Sequence, residues 1–172
     1  MVFDPPSKES DFKTPRFQAD VVFVSSEHKD HNGFENISAK EGEPFLINGP
    51  GEYEFGGMHI QGLPIERLNS IFVLNFEDFN ICYLGVFEDK ELAPDIMEAI
   101  GDVDILFVSV SANAEKIIAK IEPKIIIPMN YTKKELNDFL KKIGKEAGPM
   151  DKLIVKKKDI LDKKMEMAVL SA

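Results

Sequence analysis

Ser25-Ser26-Glu27-His28-Lys29-Asp30-His31-Asn32-Gly33 follows directly on an apolar run, Ala19-Asp20-Val21-Val22-Phe23-Val24. The run is rich in β-branched and aromatic residues and reads as a buried strand over residues 19–24. That strand delivers a polar loop ending in the turn-forming pair Asn32-Gly33. Two of the chain's three histidines and a carboxylate fall within four residues, from His28 to His31. Two imidazoles and a carboxylate on a loop after a strand suit a divalent cation, zinc first among them for mixed nitrogen and oxygen donors. The same residues also suit a solvated polar loop, and spacing alone leaves both readings open.

The loop, Ser26-Glu-His28-Lys-Asp30-His31, resembles the His-x-His-x-Asp-His loop of the metallo-β-lactamase-fold hydrolases, with Ser26 where the first histidine stands. A second stretch, Gly49-Pro50-Gly51-Glu52-Tyr53-Glu54-Phe55, resembles the GPGEYE segment of the ascorbate-6-phosphate-lactonase-like branch, whose members are named Zn-dependent hydrolases. A third, Ile127-Pro128-Met129-Asn130-Tyr131, resembles that branch's PMHY, with Asn130 in place of its histidine. The resemblance runs from residue 3 to residue 172 with its motifs in order. It implies an α/β fold, the four-layer αββα sandwich of the metallo-β-lactamase type. It also implies two further strands before the Asp4-Pro5 segment, for which the chain has no room.

The bulk numbers agree with a soluble globular chain. At 172 residues one domain over 1–172 is expected, with 44% hydrophobic and 30% charged residues. A net charge of −9 argues against a nucleic-acid-binding surface, which needs clustered lysine and arginine. The Lys156-Lys157-Lys158 run reads as a solvated strand end. The single cysteine, Cys82, excludes an intramolecular disulfide and suits a reducing cytoplasm. No apolar stretch approaches a bilayer span, and the first residues lack a signal peptide's apolar core. A cytoplasmic protein with no membrane partner is the expectation.

Strands dominate the first half. Residues 44–48, 52–55 and 58–62 read as short strands around the Gly49-Pro50-Gly51 and Gly56-Gly57 turns, and 70–76 with 81–84 as a hairpin. His59, alone in its strand, reads as structural. Residues 34–39 allow one turn of helix. Strand-helix units fill the second half: helices over 93–100, 114–121 and 132–143, the last opened by a Thr132-Lys-Lys-Glu135 capping box, and strands over 105–110 and 124–127. Pro128 is expected to stop its strand, and two final strands are expected over 153–155 and 165–170. The strongly apolar run at 19–24, without the two further strands, is expected to be a sheet edge, covered by residues 1–17 or by a second copy in a homo-oligomer.

In the resembled enzymes two zinc ions draw ligands from four segments and lower the pKa of a bound water. His28, Asp30 and His31 match ligand positions in the first segment, and Ser26 does not. Residues 62–69 carry no histidine, Val86 follows Leu84-Gly85 where an aspartate is expected, and Asn130 replaces the last histidine. Glu88 or Asp89 in the following loop is a further donor for the second metal position. Three protein ligands are the usual minimum for catalytic zinc. Two function classes follow. The first is a non-catalytic binding or assembly module on this fold. The second is a metal-dependent hydrolase with one weakly held zinc on His28, Asp30 and His31, Asp30 serving catalysis, acting on a small ester, lactone or phosphorylated metabolite. Ser109 and Ser111 lack a nucleophile elbow, and the glycines form no dinucleotide fingerprint.

Overall fold

The computed structural model describes residues 1–13, 18–65, 69–87 and 91–171. These form two compact units, residues 1–72 and residues 73–172. Together they give a mixed α/β chain with a multi-stranded sheet and three α-helices among the described residues.

In the first unit, β1 (Val2–Phe3), β2 (Val21–Phe23) and β3 (Phe45–Ile47) make a parallel sheet in that order. All three β2 residues are buried, as their uninterrupted apolar run requires. Phe23 stacks on Phe3 with ring centroids 4.4 Å apart and meets Phe72 edge-on at 5.3 Å. Ala19, Val22, Val24 and Ile37 form a second cluster, joined by Val2 and Leu46. Of the two covers expected for the run at 19–24, the structure shows the first: Val2–Phe3 pairs along β2, which therefore has a neighbour on each side. Residues 34–36 make the single turn of 3-10 helix that their length allows.

β4 (Gly51–Phe55) and β5 (Met58–Pro64) form an antiparallel hairpin in which Phe55 faces Met58. Its two-residue turn needs positive φ at both positions, which Gly56 and Gly57 supply at 57° and 78°. β6 (Ser70–Phe76) belongs in part to each unit.

The second unit holds a parallel sheet ordered β11-β9-β8-β7, from β7 (Phe79–Tyr83), β8 (Ile105–Ser109), β9 (Ile125–Met129) and β11 (Glu166–Met167). The chain reaches β7 through a turn at Glu77 and Asp78, both at positive φ. The helices are α1 (Pro94–Ile100), α2 (Ala114–Ile121) and α3 (Lys133–Ile143). α2 carries the chain between the parallel neighbours β8 and β9, as a parallel connection demands. Its buried face is Ala114, Ile117, Ile118 and Ile121, the 3.6-residue stripe of the sequence. Thr132 and Glu135 cap α3 reciprocally.

Three expectations are corrected. Pro128 lies inside β9, opposite Val108, and does not end it. The Ala168 amide bonds the Ile126 carbonyl, so the main-chain groups of alternate residues from Ile126 onward face β11. β11 ends at Met167, beside Ile126, and the proline's missing donor is not called on. Residues 153–155 form no strand. Leu153 and Val155 turn inward onto Ile125, Ile127 and Ile160 while Ile154 stays 74% exposed, so their alternation comes from packing without a ladder. Pairing occurs earlier instead, between β10 (Pro149–Met150) and β12 (Val169–Leu170). The single strand expected over 165–170 is thus two short ones in different sheets, separated by Ala168.

Candidate functional site

The loop after β2 is laced to residues 4–10. Ser25 is buried and donates through both its N–H (2.7 Å) and its hydroxyl (2.6 Å) to the Asp4 carboxylate. The Ser7 amide bonds the Lys29 carbonyl at 2.9 Å, and the Gly33 amide bonds the Pro5 carbonyl at 2.7 Å. A Cβ at residue 33 would overlap the Pro6 carbonyl, which is why the loop closes on glycine. Asp4 has a φ of 45°, a left-handed conformation held by these bonds.

Within the loop, the three residues matched to ligand positions lie close together but aim at protein partners. The Asp30 N–H donates to His28 Nδ1 at 3.3 Å, and the His31 N–H donates to the His28 carbonyl at 2.8 Å. The His28 N–H in turn donates to the Ser26 hydroxyl at 3.3 Å. The Ser10 hydroxyl donates to Asp30 Oδ1 at 2.6 Å. That bond, opposed by burial and aided by the charges of His28, Lys29 and His31, holds the Asp30 carboxyl below its ordinary value. His28 Nδ1 stands 3.6 Å from Asp30 Oδ2, and His31 Nδ1 stands 3.8 Å from Asp4 Oδ2. The two imidazole centroids are 6.2 Å apart, with their planes tilted by 47°.

A zinc ion needs nitrogen donors at about 2.0–2.1 Å converging tetrahedrally from at least three protein groups. Among the described residues no group of three or more His, Cys, Asp or Glu side chains is arranged to hold a metal ion. The reason is visible in the donors: one His28 nitrogen is spent on a main-chain amide, one Asp30 oxygen on Ser10, and His31 turns towards Asp4. The loop's donor set as arranged does not fit zinc. Glu88 and Asp89 lie outside the described residues.

The other two motif positions meet in the second unit. Asn130, directly after β9 and at φ 52°, donates its side-chain amide to the Ser109 hydroxyl at 2.9 Å. Ser109, the last residue of β8, donates onward to the Gly85 carbonyl at 2.9 Å. Gly85 sits just beyond β7 and next to Val86, so the segments matched to the third and fourth ligand positions are tied through one buried hydroxyl. His59, on exposed ground in β5 opposite Glu54, joins neither group in the described contacts.

Asp4 and Ser109 escaped the sequence reading. Asp4 was visible only as part of a proline-bearing segment, and Ser109 only as a serine without an elbow. A further cluster was also missed. Buried Asp104 accepts from Lys124 Nζ (2.7 Å), Lys157 Nζ and the Asn80 amide (2.9 Å), so Lys157 belongs to an ion-pair network and not to a solvated strand end.

No helix among the described residues is long and apolar enough to cross a membrane. Solved structures that share the fold include the following three. A protein of Thermotoga maritima, named as a Zn-dependent hydrolase of the metallo-beta-lactamase superfamily, is 27% identical with a TM-score of 0.75, over 91% of this chain and 84% of that one. A mutant of CmlA beta-hydroxylase is 11% identical with a TM-score of 0.56, over 90% of this chain and 43% of that one. The metallo-beta-lactamase fold protein YhfI from Bacillus subtilis is 11% identical with a TM-score of 0.51, over 87% of this chain and 74% of that one. At 11% identity the last two speak to fold alone. No curated protein matches the chain. The sequence profile described as Beta-lactamase superfamily domain matches residues 1–130, three quarters of the chain, and with the shared architecture this makes the protein a member of the beta-lactamase superfamily domain family.

Proposed function

We propose that this chain is a non-catalytic binding or assembly module of the metallo-β-lactamase fold, descended from the ascorbate-6-phosphate-lactonase-like branch. The Gly49–Phe55 and Ile127–Tyr131 motifs support the branch. The observation that carries the loss of chemistry is the hydrogen-bonded chain Asn130–Ser109–Gly85, which gives neutral partners to two segments that in the resembled enzymes supply ligands. The engaged donors of His28, Asp30 and His31 point the same way. A chain with one cysteine, buried in an apolar strand, suits a reducing cytoplasm.

Calorimetric titration of the full chain with zinc at pH 7.5, followed by assay on ester, lactone and phosphorylated substrates, tests this reading. The expected result is no stoichiometric uptake and no zinc-dependent turnover. Tight one-to-one zinc with hydrolysis abolished by Asp30→Ala would overturn it and establish the single-metal hydrolase instead.

A further inference from the structure

Residues 41–55 hold four glutamates, Glu41, Glu43, Glu52 and Glu54, all exposed, and no lysine, arginine or histidine. Inside this acidic frame lies an aromatic group that a solitary domain has reason to bury. Phe45 and Phe55 are 37% and 36% exposed, and their rings stack with centroids 5.5 Å apart. Tyr53 meets Phe45 edge-on at 6.5 Å and anchors its hydroxyl on the Gly49 carbonyl at 3.0 Å. Tyr53 and Phe55 share one face of β4, and Glu52 and Glu54 share the other.

Among the described residues β4 also ends its sheet, which leaves one of its edges without a strand neighbour. Its strand neighbour among the described residues of its own unit is β5. In a hairpin closed by a two-residue turn, the residues flanking the turn form a hydrogen-bonded pair and the bonding alternates from there. Phe55, Tyr53 and Gly51 therefore spend their main-chain groups on Met58, Ile60 and Gly62, while those of Glu52 and Glu54 face outward. An edge of this kind takes an added strand readily.

The charges decide what that strand is. A second copy pairing antiparallel through the same edge, as a two-fold axis requires, has only Glu52 and Glu54 to offer, so each register that bonds these residues to one another sets glutamate against glutamate, which is destabilising. We infer that the open edge of β4 is a docking site for an extended segment of another protein in which lysine or arginine alternates with aromatic or β-branched residues. Its cations lie beside Glu52 and Glu54, and its apolar residues cover Phe45 and Phe55. The inference names a partner class for the binding role proposed above and rests on that reading. Zinc titration tests the reading and peptide titration tests the edge, so the two fail separately.

The probe is a fluorescein-labelled peptide alternating lysine with tyrosine, threonine and valine, titrated against the full chain and followed by anisotropy. Two control peptides accompany it, one with glutamate for every lysine and one N-methylated at alternate amides so that it cannot form a ladder. Binding by the first alone is expected, with slowed amide exchange at Glu52 and Glu54. N-methylation should weaken it by about tenfold or more, and Glu52→Lys with Glu54→Lys by a similar factor. No binding by the lysine peptide overturns the inference, as does equal binding of the N-methylated form on the unaltered protein. Concentration-dependent dimerisation that itself protects Glu52 and Glu54 would name a second copy as the occupant and overturn it too.

Discussion

Buried Asp104 faces two ammonium groups and one main-chain amide. Burial alone would raise its carboxyl, but the Asn80 amide and the Lys124 and Lys157 ammonium groups together outweigh that and hold it below its ordinary value. Replacing it by asparagine keeps an acceptor for the Asn80 amide and leaves two ammonium groups facing a neutral amide. Removing one partner from a fully buried pair costs about 3–5 kcal/mol. Here the lysine side chains keep 31% and 35% exposure and regain water, so about 2 kcal/mol is expected for Asp104→Asn in urea unfolding at pH 7. Because the folded carboxyl titrates lower than the unfolded one, its contribution is complete above the unfolded value of about 3.9 and is lost as pH falls through the folded value. The gap between parent and variant should hold from pH 7 to pH 5 and close only below about pH 4. A gap that closes near neutrality would mean that the carboxylate is not the group holding the lysines.

At the scale of elements, the Ser109 hydroxyl joins three consecutive parallel strands at their carboxyl ends: β8 through itself, β7 through Gly85 and β9 through Asn130. In open parallel sheets ligands bind outside those ends, and here the Ser109 hydroxyl bonds across them. Ser109→Ala strips a partner from both the Gly85 carbonyl and the Asn130 amide, and should cost about 1–2 kcal/mol in chemical unfolding. A loss under about 0.5 kcal/mol would mean that water replaces the hydroxyl and that the tie is not structural. Some of this scale was open to the sequence. The Thr132 and Glu135 capping box, the α2 stripe and the Gly56-Gly57 turn are local patterns, and each stands as the spacing indicates. Residues 153–155 defeat the reading because alternation reports which side chains face a core and says nothing of whether a neighbouring strand is there to pair.

At the scale of the whole molecule, family membership was legible because three motifs keep their order, and the departures of Ser26, Val86 and Asn130 from the resembled motifs were legible as single letters. The partners those three segments take in the fold were not. Asp4 with Ser25, Asp104 with Lys124 and Lys157, and Ser109 with Asn130 pair across some 20 to 50 residues of chain, and nothing local marks them. The division near residue 72 falls inside β6, a continuous apolar run, so composition gives no sign of it. One property of the entire chain does bear on function. A net charge of −9 gives the chain an acidic field that, on the docking inferred above, draws a basic segment in before any contact forms. Raising ionic strength from about 0.01 M to about 0.15 M shortens the screening length from about 30 Å to about 8 Å. In stopped-flow mixing with the lysine peptide, the association rate constant should therefore fall by about tenfold or more over that range. The dissociation rate constant, set by strand hydrogen bonds and by the cover over Phe45 and Phe55, should change by no more than about twofold. Salt that acted chiefly on dissociation would assign the charges to contact pairs at the edge, and rates indifferent to salt would remove charge from the recognition altogether.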